Sequence, residues 1–223
     1  MKPQARRFAL AVIVVIMAAL PTSKAVSTET EALFHVGPLT EIAGIGFFDG
    51  WCMSAYSRPV DAASEVFTCA LIAFPVALLV APREDWASLG SMYAESLLLT
   101  WGLKELGKAL FARERPYMYF DGYPQDEIEN GEYLESFPSG HAALAFTGAS
   151  FFTAALNRYL KDSPWRIPLT AASFACAIAA SALRVGSGNH FPSDVVVGAA
   201  IGVVSGFVVP WLHSLNAKGK DRL

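Results

Sequence analysis

Three short blocks of polar residues in the second half of the chain carry the side chains that could do chemistry, and all three suit the binding of an anion. The first block places Lys108 and Arg115 seven positions apart, just before Pro116. If a helix continues through the block, this spacing is two turns and about 10.5 Å of rise, which two long cationic side chains can close on a shared anion. Pro116 disfavours helical geometry at Arg115, so we expect the helix to end here. The alternative role of such a basic helix end is an interfacial anchor in a membrane.

The second block, residues 137–141, reads Phe-Pro-Ser-Gly-His and predicts the start of a helix. Ser139 is a suitable N-cap, and Gly140 lets another group approach the backbone closely. The free N–H groups of a helix start attract anions. His141, one step inside the helix, is placed to give or take a proton beside a bound anion, and the alternative role for such a histidine is capping or packing.

The third block contains Arg184, His190 and Asp194. We expect Arg184 to close one helix, and His190 and Asp194 to begin the next after a flexible turn at residues 186–189. The i, i+4 spacing would place His190 and Asp194 on one side of that helix. The carboxylate would then accept a hydrogen bond from one ring nitrogen and leave the other nitrogen free as a nucleophile. The alternative is a structural Asp–His pair that ties the turn to the helix.

Together the three blocks resemble the motifs of the type 2 phosphatidic acid phosphatase superfamily, which also includes bacterial class A acid phosphatases and vanadium haloperoxidases. The family pattern is Lys-x6-Arg-Pro, then Pro-Ser-Gly-His, then Ser-Arg-x5-His-x3-Asp, and this chain matches its order and internal spacing across residues 108–194. One position departs from the pattern, because Leu183 stands in place of the leading serine. The change removes a possible hydrogen bond near Arg184 and affects fine positioning more than the reaction.

The resemblance implies a phosphatase that works without a metal or another cofactor. His190, oriented by Asp194, would attack phosphorus and form a phosphohistidine, and His141 would protonate the leaving oxygen and then activate water. The remaining histidines, His35 and His213, are expected to take no part. The residues expected to surround the phosphoryl oxygens are Lys108, Arg115, Ser139, Gly140 and Arg184.

Long apolar segments must position these blocks. Apolar and polar residues do not alternate in these segments as they would in a strand, so we expect helices. We predict an all-α fold, a transmembrane bundle of about five long helices after an N-terminal signal segment. The second helix carries Glu95, Lys104 and Glu105, which must face the bundle interior or water, and we expect Glu95 to be a paired structural carboxylate. The expected helices are residues 66–80, 87–111, 139–160, 167–183 and 193–212.

The N-terminal residues predict export. Lys2, Arg6 and Arg7 precede an uncharged run at residues 8–20, which is typical of a signal peptide, with an uncleaved anchor as the alternative. We therefore divide the chain into four parts. They are a signal peptide or anchor (1–25), an exported N-terminal lead-in (26–65), a helical phosphatase domain (66–213) and a cytoplasmic tail (214–223).

The composition favours a membrane protein and argues against nucleic acid as a partner. Residues of the AVILMFWYC set make up 53% of the chain, and charged residues make up 17%, against about 25% in soluble domains. The 17 basic and 20 acidic residues nearly balance, without a basic stripe for nucleic-acid phosphates. Cys52, Cys69 and Cys176 are too few and too scattered for a disulfide framework, and we expect each to be a free buried thiol.

The distribution of Lys and Arg orients the predicted bundle. Arg83, the connection at residues 158–166 and the tail after residue 217 are basic, so this face should be cytoplasmic. The three blocks would then face the periplasm or exterior of a bacterial-type inner membrane.

A site at the outer end of apolar helices meets lipid headgroups. The expected substrate is therefore a lipid phosphate or a polyprenyl diphosphate, with membrane lipids as the surroundings. Three alternatives stay open: a soluble periplasmic acid phosphatase acting on small phosphomonoesters, a vanadate-dependent haloperoxidase, and a non-enzymatic membrane protein that binds phosphate. The oligomeric state also stays open.

Overall fold

The computed structural model describes residues 47–73 and 81–220. The expected signal segment, most of the lead-in, His35, residues 74–80 of the first expected helix and residues 221–223 lie outside the description. Within the described ranges, regular structure is helical apart from a single bridge between Arg113 and Glu135, which confirms the all-α prediction. The α-helices are α1 (Phe47–Gly50), α2 (Arg58–Ala73), α3 (Trp86–Leu110), α4 (Gln125–Glu129), α5 (Gly140–Tyr159), α6 (Arg166–Gly186) and α7 (Pro192–Lys220). Short 3-10 helices lie at Arg83–Asp85, Pro116–Tyr119 and Glu132–Leu134.

The long helices α2, α3, α5, α6 and α7 match the predicted segments, with shifts at their ends. α2 begins at Arg58, well before residue 66, so part of the expected lead-in belongs to the bundle. α3 ends at Leu110, because Phe111 leaves helical geometry with φ −131° and ψ 84°. α6 continues past Arg184, and α7 begins only at Pro192, so His190 lies in the connection and not in a helix.

α5 is the central helix of the bundle and contacts α2, α3, α6 and α7. Its contact with α7 is the closest, since three glycines of α7 at every fourth position face α5. A Cβ on Gly202 would lie 2.2 Å from Ala143 O, and one on Gly198 would lie 2.3 Å from Ser139 O. Gly206 continues this stripe. The backbones of α5 and α7 can therefore touch, a packing mode typical of helix pairs in membranes.

Many large apolar side chains lie on the outside of the bundle, and small side chains fill much of the inside. Ala142 and Ala145 are fully buried, while Val66 and Ile178 are 69% and 58% exposed. Soluble domains rarely present so much apolar surface. Two helical segments, Arg166–Gly186 and Pro192–Ser214, are long and apolar enough to cross a membrane. Further exposed apolar side chains are Phe67, Leu106, Leu110, Ile167, Val196, Val204 and Leu212.

Two predictions about side chains away from the three blocks have opposite outcomes. Glu95 on α3 pairs with His213 on α7, with 2.8 Å between Oε2 and Nε2, which confirms it as a paired carboxylate. The prediction of buried thiols is wrong, because Cys52, Cys69 and Cys176 are all exposed. A thiol behaves as a small hydrophobe, so an apolar outer surface accommodates it.

Candidate active site

The three sequence blocks meet at one end of the bundle, where backbone hydrogen bonds join the segments that carry them. Ser139 N donates to Asp194 O at 3.0 Å and connects the start of α5 to α7. Tyr117 N donates to Gly188 O at 3.0 Å and connects the segment after α3 to the turn between α6 and α7. Gly188 has φ +78°, and a Cβ there would lie 2.5 Å from Ser54 O. This turn therefore requires glycine.

The first block does not form the two helical turns that its spacing would allow. α3 ends at Leu110, so Lys108 lies in the last turn of the helix. Arg115 has extended backbone, with φ −75° and ψ 150°, and Pro116 begins a 3-10 helix. The Arg115 side chain is buried, and its Nη1 donates to Asn189 Oδ1 at 2.8 Å. Arg115 therefore reaches the site beside the α6–α7 turn and not along the face of α3.

Each of the three predicted cations is paired with a carboxylate of the chain. Two of these carboxylates lie in the acidic stretch between α3 and α5, and the third lies on α2, in the segment predicted as lead-in. The pairing offsets part of the cost of burying several positive charges together. The pairs are Lys108–Glu135 (2.8 Å), Arg115–Glu127 (3.0 Å) and Arg184–Asp61.

Arg115 and Arg184 each keep a buried donor without a partner. Their Nε atoms are buried, and neither makes a hydrogen bond within the part of the chain that the structure describes. A buried donor left unsatisfied costs about 1–3 kcal/mol. An anion held by both guanidinium groups would satisfy these donors.

His190 is buried with its ring held by a backbone carbonyl. Its Nδ1 lies 2.7 Å from the Ser136 carbonyl oxygen. Because a carbonyl only accepts, we assign the proton to Nδ1, which leaves the lone pair on Nε2. Burial lowers the pKa of His190 well below its usual range, and the positive charges of Arg184 and Arg115 lower it further. His190 is therefore a neutral imidazole with an unprotonated Nε2.

Asp194 does not hydrogen-bond to His190 directly, so this part of the prediction is wrong. Its Oδ2 lies 3.9 Å from His190 Nδ1 and instead accepts hydrogen bonds from Ser136 Oγ at 2.6 Å and Phe191 N at 2.8 Å. The i, i+4 argument fails because His190 precedes α7, which begins at Pro192. The carboxylate reaches the imidazole through Ser136, whose hydroxyl binds Asp194 while its carbonyl binds His190.

The start of α5 brings the second block to the same cluster. Ser139 caps the helix as predicted, since its Oγ accepts from Ala142 N at 3.4 Å. A Cβ on Gly140 would lie 3.0 Å from Lys104 Cδ, so the glycine admits a lysine side chain against the helix start. Burial lowers the pKa of His141 to about 3, together with the positive charges of Arg184, Arg115 and Lys108, which also act on His190.

The geometry can be compared with known proteins. A sequence model of the PAP2 superfamily matches residues 89–218. The chain belongs to the PAP2 superfamily. A lipid A 1-phosphatase from Porphyromonas gingivalis is 30% identical over 132 residues, which cover 59% of this chain and 25% of that protein. The chain thus spans about a quarter of the length of this curated relative.

Two solved structures resemble this PAP2 chain. The crystal structure of a transmembrane PAP2-type phosphatidylglycerolphosphate phosphatase from Bacillus subtilis has a TM-score of 0.53 at 20% identity, covering 92% of this chain and 94% of that chain. The crystal structure of LpxE from Aquifex aeolicus has a TM-score of 0.49 at 24% identity, covering 71% and 90%. The Bacillus subtilis structure supports a common fold.

The PAP2 site also includes residues that the motifs did not predict. Ser136 and Asn189 are fully buried. Both lie directly beside motif residues in the sequence, and this position could have identified them as candidates. Arg113 lies inside the first block but is not one of the residues that the motif pattern names. Asp49 and Asp61 lie far from the first block in sequence, and only the fold brings them to the site.

Proposed function

We propose that this PAP2 protein is an integral membrane phosphatase that hydrolyses a phosphate ester or diphosphate of a membrane lipid through a phosphohistidine on His190. The observation that carries the proposal is the surroundings of His190. Its Nε2 is unprotonated, and it lies among cations, of which Arg115 and Arg184 keep buried donors without partners. A neutral nucleophile beside an unfilled anion site is the arrangement that phosphoryl transfer needs.

In the first step, His190 Nε2 attacks phosphorus and the bond between phosphorus and the leaving oxygen breaks. His141 takes up a proton when the anionic substrate offsets the surrounding positive charge, and it gives that proton to the leaving oxygen. In the second step, neutral His141 takes a proton from water, the water oxygen attacks phosphorus, and the P–N bond breaks. Inorganic phosphate leaves, and His190 returns to its neutral form.

The remaining residues of the site bind the oxygens that carry charge during both steps. Side-chain cations supply the positive charge that a metal ion provides in other phosphatases, so the mechanism uses no metal. The Ser139 hydroxyl and the Gly140 N–H complete the cradle at the start of α5. Asp194 keeps the His190 ring in one tautomer through Ser136. The cradle cations are Lys108, Arg115 and Arg184.

A lipid substrate is favoured by the surroundings of the site. The exterior of the bundle exposes large apolar side chains, and two helical segments are long and apolar enough to span a membrane. The lipid A 1-phosphatase that resembles this chain is named for a lipid phosphate, as is the Bacillus subtilis enzyme. We place the site on the periplasmic side, because most Lys and Arg residues outside the site lie at the other end of the helices.

Phosphate release by the detergent-purified protein tests the activity. The panel is phosphatidic acid, phosphatidylglycerol phosphate, undecaprenyl diphosphate, lipid A and the soluble ester p-nitrophenyl phosphate. We expect release from at least one lipid and none from the His190→Ala variant. His213→Ala is the matched histidine control outside the site and should stay active. Binding of phosphate without turnover would favour the non-enzymatic alternative and refute the proposal.

A sodium carbonate wash of membranes tests the location. The protein should stay in the membrane pellet, because burying its exposed apolar side chains in lipid is more favourable than hydrating them. Quantitative release into the supernatant, together with activity only on p-nitrophenyl phosphate, would identify a soluble acid phosphatase. A reporter fused after Leu223 should be cytoplasmic, and an exported reporter would reverse the proposed orientation.

A further inference from the structure

We infer that Arg113 is a positioning residue, which holds His190 in its attacking orientation through Ser136 and Asp194. The inference rests on the proposed function, since it concerns the same nucleophile. Arg113 is not part of the motif pattern, which names Lys108 and Arg115 in this segment. Its side chain faces the carboxylate behind His190, so its role differs from that of the cradle cations.

The guanidinium group of Arg113 binds two carboxylates at once. Nη1 donates to Asp194 Oδ1 and to Ser193 Oγ, the latter at 2.7 Å, and Nη2 donates to Asp49 Oδ2 at 2.8 Å. Its Cζ lies 4.0 Å from the centre of the Phe191 ring. The planar group is thus fixed at both nitrogens and on one face, a geometry that suits arginine and not lysine.

The backbone of Arg113 holds Ser136, the residue that links Asp194 to His190. Its carbonyl oxygen accepts from Ser136 N at 3.0 Å, and its N–H donates to Leu134 O at 2.9 Å. The carbonyl of Ser136 in turn accepts from His190 Nδ1 at 2.7 Å. Arg113 therefore holds both Ser136, whose carbonyl binds the imidazole, and the carboxylate that binds the Ser136 hydroxyl.

Asp49 makes α1 a support of the same cluster. Its Oδ1 accepts from Ser193 N at 3.0 Å, and its Oδ2 accepts from Ser193 Oγ at 2.7 Å. Burial acts to raise the pKa of Asp49, but hydrogen bonds from Arg113 and Ser193 more than offset it and lower the pKa below its usual value. Asp49 is therefore ionised, and Arg113 lies between two carboxyl groups. Without the arginine, these two carboxylates would face each other, and the hydrogen bond from Ser136 to Asp194 would lose its fixed acceptor.

The test compares Arg113→Gln and Arg113→Lys with a matched control, Arg166→Gln. Arg166 begins α6, at the end of that helix away from the site. The Arg166 side chain donates to Asn157 Oδ1 at 3.2 Å, and its backbone N–H donates to Ser163 O. The probes are p-nitrophenyl phosphate and vanadate in detergent. We expect Arg113→Gln to lower kcat by about 10–100-fold, the range typical of residues that orient a functional ligand. KM and the vanadate inhibition constant should stay within about 3-fold, because the cradle cations are unchanged.

Rapid-quench measurement of the phosphoenzyme separates positioning from general loss of structure. Arg113→Gln should slow the formation of the phosphoenzyme in protein that is folded and still binds vanadate, and Arg113→Lys should recover part of the rate. If Arg113→Gln does not fold, Arg113→Lys and Asp49→Asn decide: lower kcat at unchanged KM supports the inference, and unchanged kcat overturns it.

Two results with a folded Arg113→Gln protein would overturn the inference. One is a 10-fold or larger rise in KM and in the vanadate inhibition constant at unchanged kcat, which would make Arg113 a phosphate-binding cation. The other is kinetics equal to those of Arg166→Gln. Either result requires an active wild-type protein, whereas an inactive wild type on every phosphate tested would contradict the proposed function itself.

Discussion

Replacing Gly202 with alanine should separate the two helices that carry the catalytic residues. The new Cβ would lie 2.2 Å from Ala143 O and 2.8 Å from Thr147 N, both backbone atoms of α5. Ordinary contact needs about 3.5 Å, so α5 and α7 must move apart locally by about 1 Å. Overpacking costs about 1–3 kcal/mol, and a clash with rigid backbone belongs at the upper end of that range.

Gly90→Ala is the matched control for this substitution. Gly90 also lies in a helix, and nothing lies within 4 Å of a Cβ at that position. Because alanine loses less conformational freedom than glycine on folding, this variant should be more stable than wild type by about 0.5–1 kcal/mol. The two variants are thus expected to differ by about 3 kcal/mol in the free energy of unfolding.

Thermal unfolding in detergent and phosphate release measure the two consequences. A loss of 2–3 kcal/mol lowers Tm by about 5–10 °C in a chain of this size. The displacement should also lower kcat, by up to about 100-fold, since α5 carries His141 and α7 carries Asp194. If Gly202→Ala and Gly90→Ala have the same Tm and kcat, the backbones of α5 and α7 are not in contact and the packing argument is refuted.

The remaining predictions test the chemistry. His141→Ala should keep more activity on an aryl phosphate than on an alkyl phosphate, because an aryl leaving group needs little protonation; equal losses would exclude His141 as the acid. His190→Ala should be inactive on both esters and should form no acid-labile phosphoenzyme. As the pH falls, kcat/KM of His141→Ala should decrease only when His190 takes a proton. Burial and the nearby cations lower the pKa of His190, so this decrease should occur below about pH 6.5. A decrease at or above that pH would contradict a buried neutral nucleophile. Vanadate should inhibit competitively, because its adduct with His190 mimics the transferring phosphoryl group, and EDTA should not inhibit; loss of activity on chelation that a divalent ion restores would contradict the metal-free mechanism.

The long helices and the helix cap could be predicted because they depend on local sequence. The apolar segments exceed the length of ordinary strands, and Ser139 has both the residue type and the position of an N-cap. The ends of the helices were less certain. Arg184 was expected to close α6, yet the helix continues to Gly186, where the turn with positive φ at Gly188 follows. A turn of this kind depends on Tyr117 and Ser54, which are remote in sequence.

The relation between His190 and Asp194 could not be predicted, because spacing alone does not say which partner lies between two side chains. Ser136 occupies that place, and it comes from a segment more than fifty positions earlier. The carboxylate partners of the cations were missed for the same reason. Asp61 binds Arg184 across 123 positions of sequence, and no local pattern indicates such a pair.

The polarity of α2 explains why its contribution to the site was missed. Ser64 and Thr68 are buried, whereas Val66 and Phe67 are 69% and 44% exposed, which is the reverse of an amphipathic helix in a soluble protein. The two buried hydroxyls donate to carbonyl oxygens of their own helix, so their burial is not costly. A search for an apolar inner face therefore places the helix start too late, at residue 66.

The same inverted polarity connects the membrane environment to the active site. In lipid, a helix gains nothing by turning apolar side chains inward, so polar and small residues are free to make the contacts between helices. On α2, this inner polar face continues from Thr68 through Ser64 to Asp61, and both Ser64 and Asp61 bind Arg184. The polar face that packs the helix in lipid thus also holds Arg184, a cation of the proposed phosphate cradle.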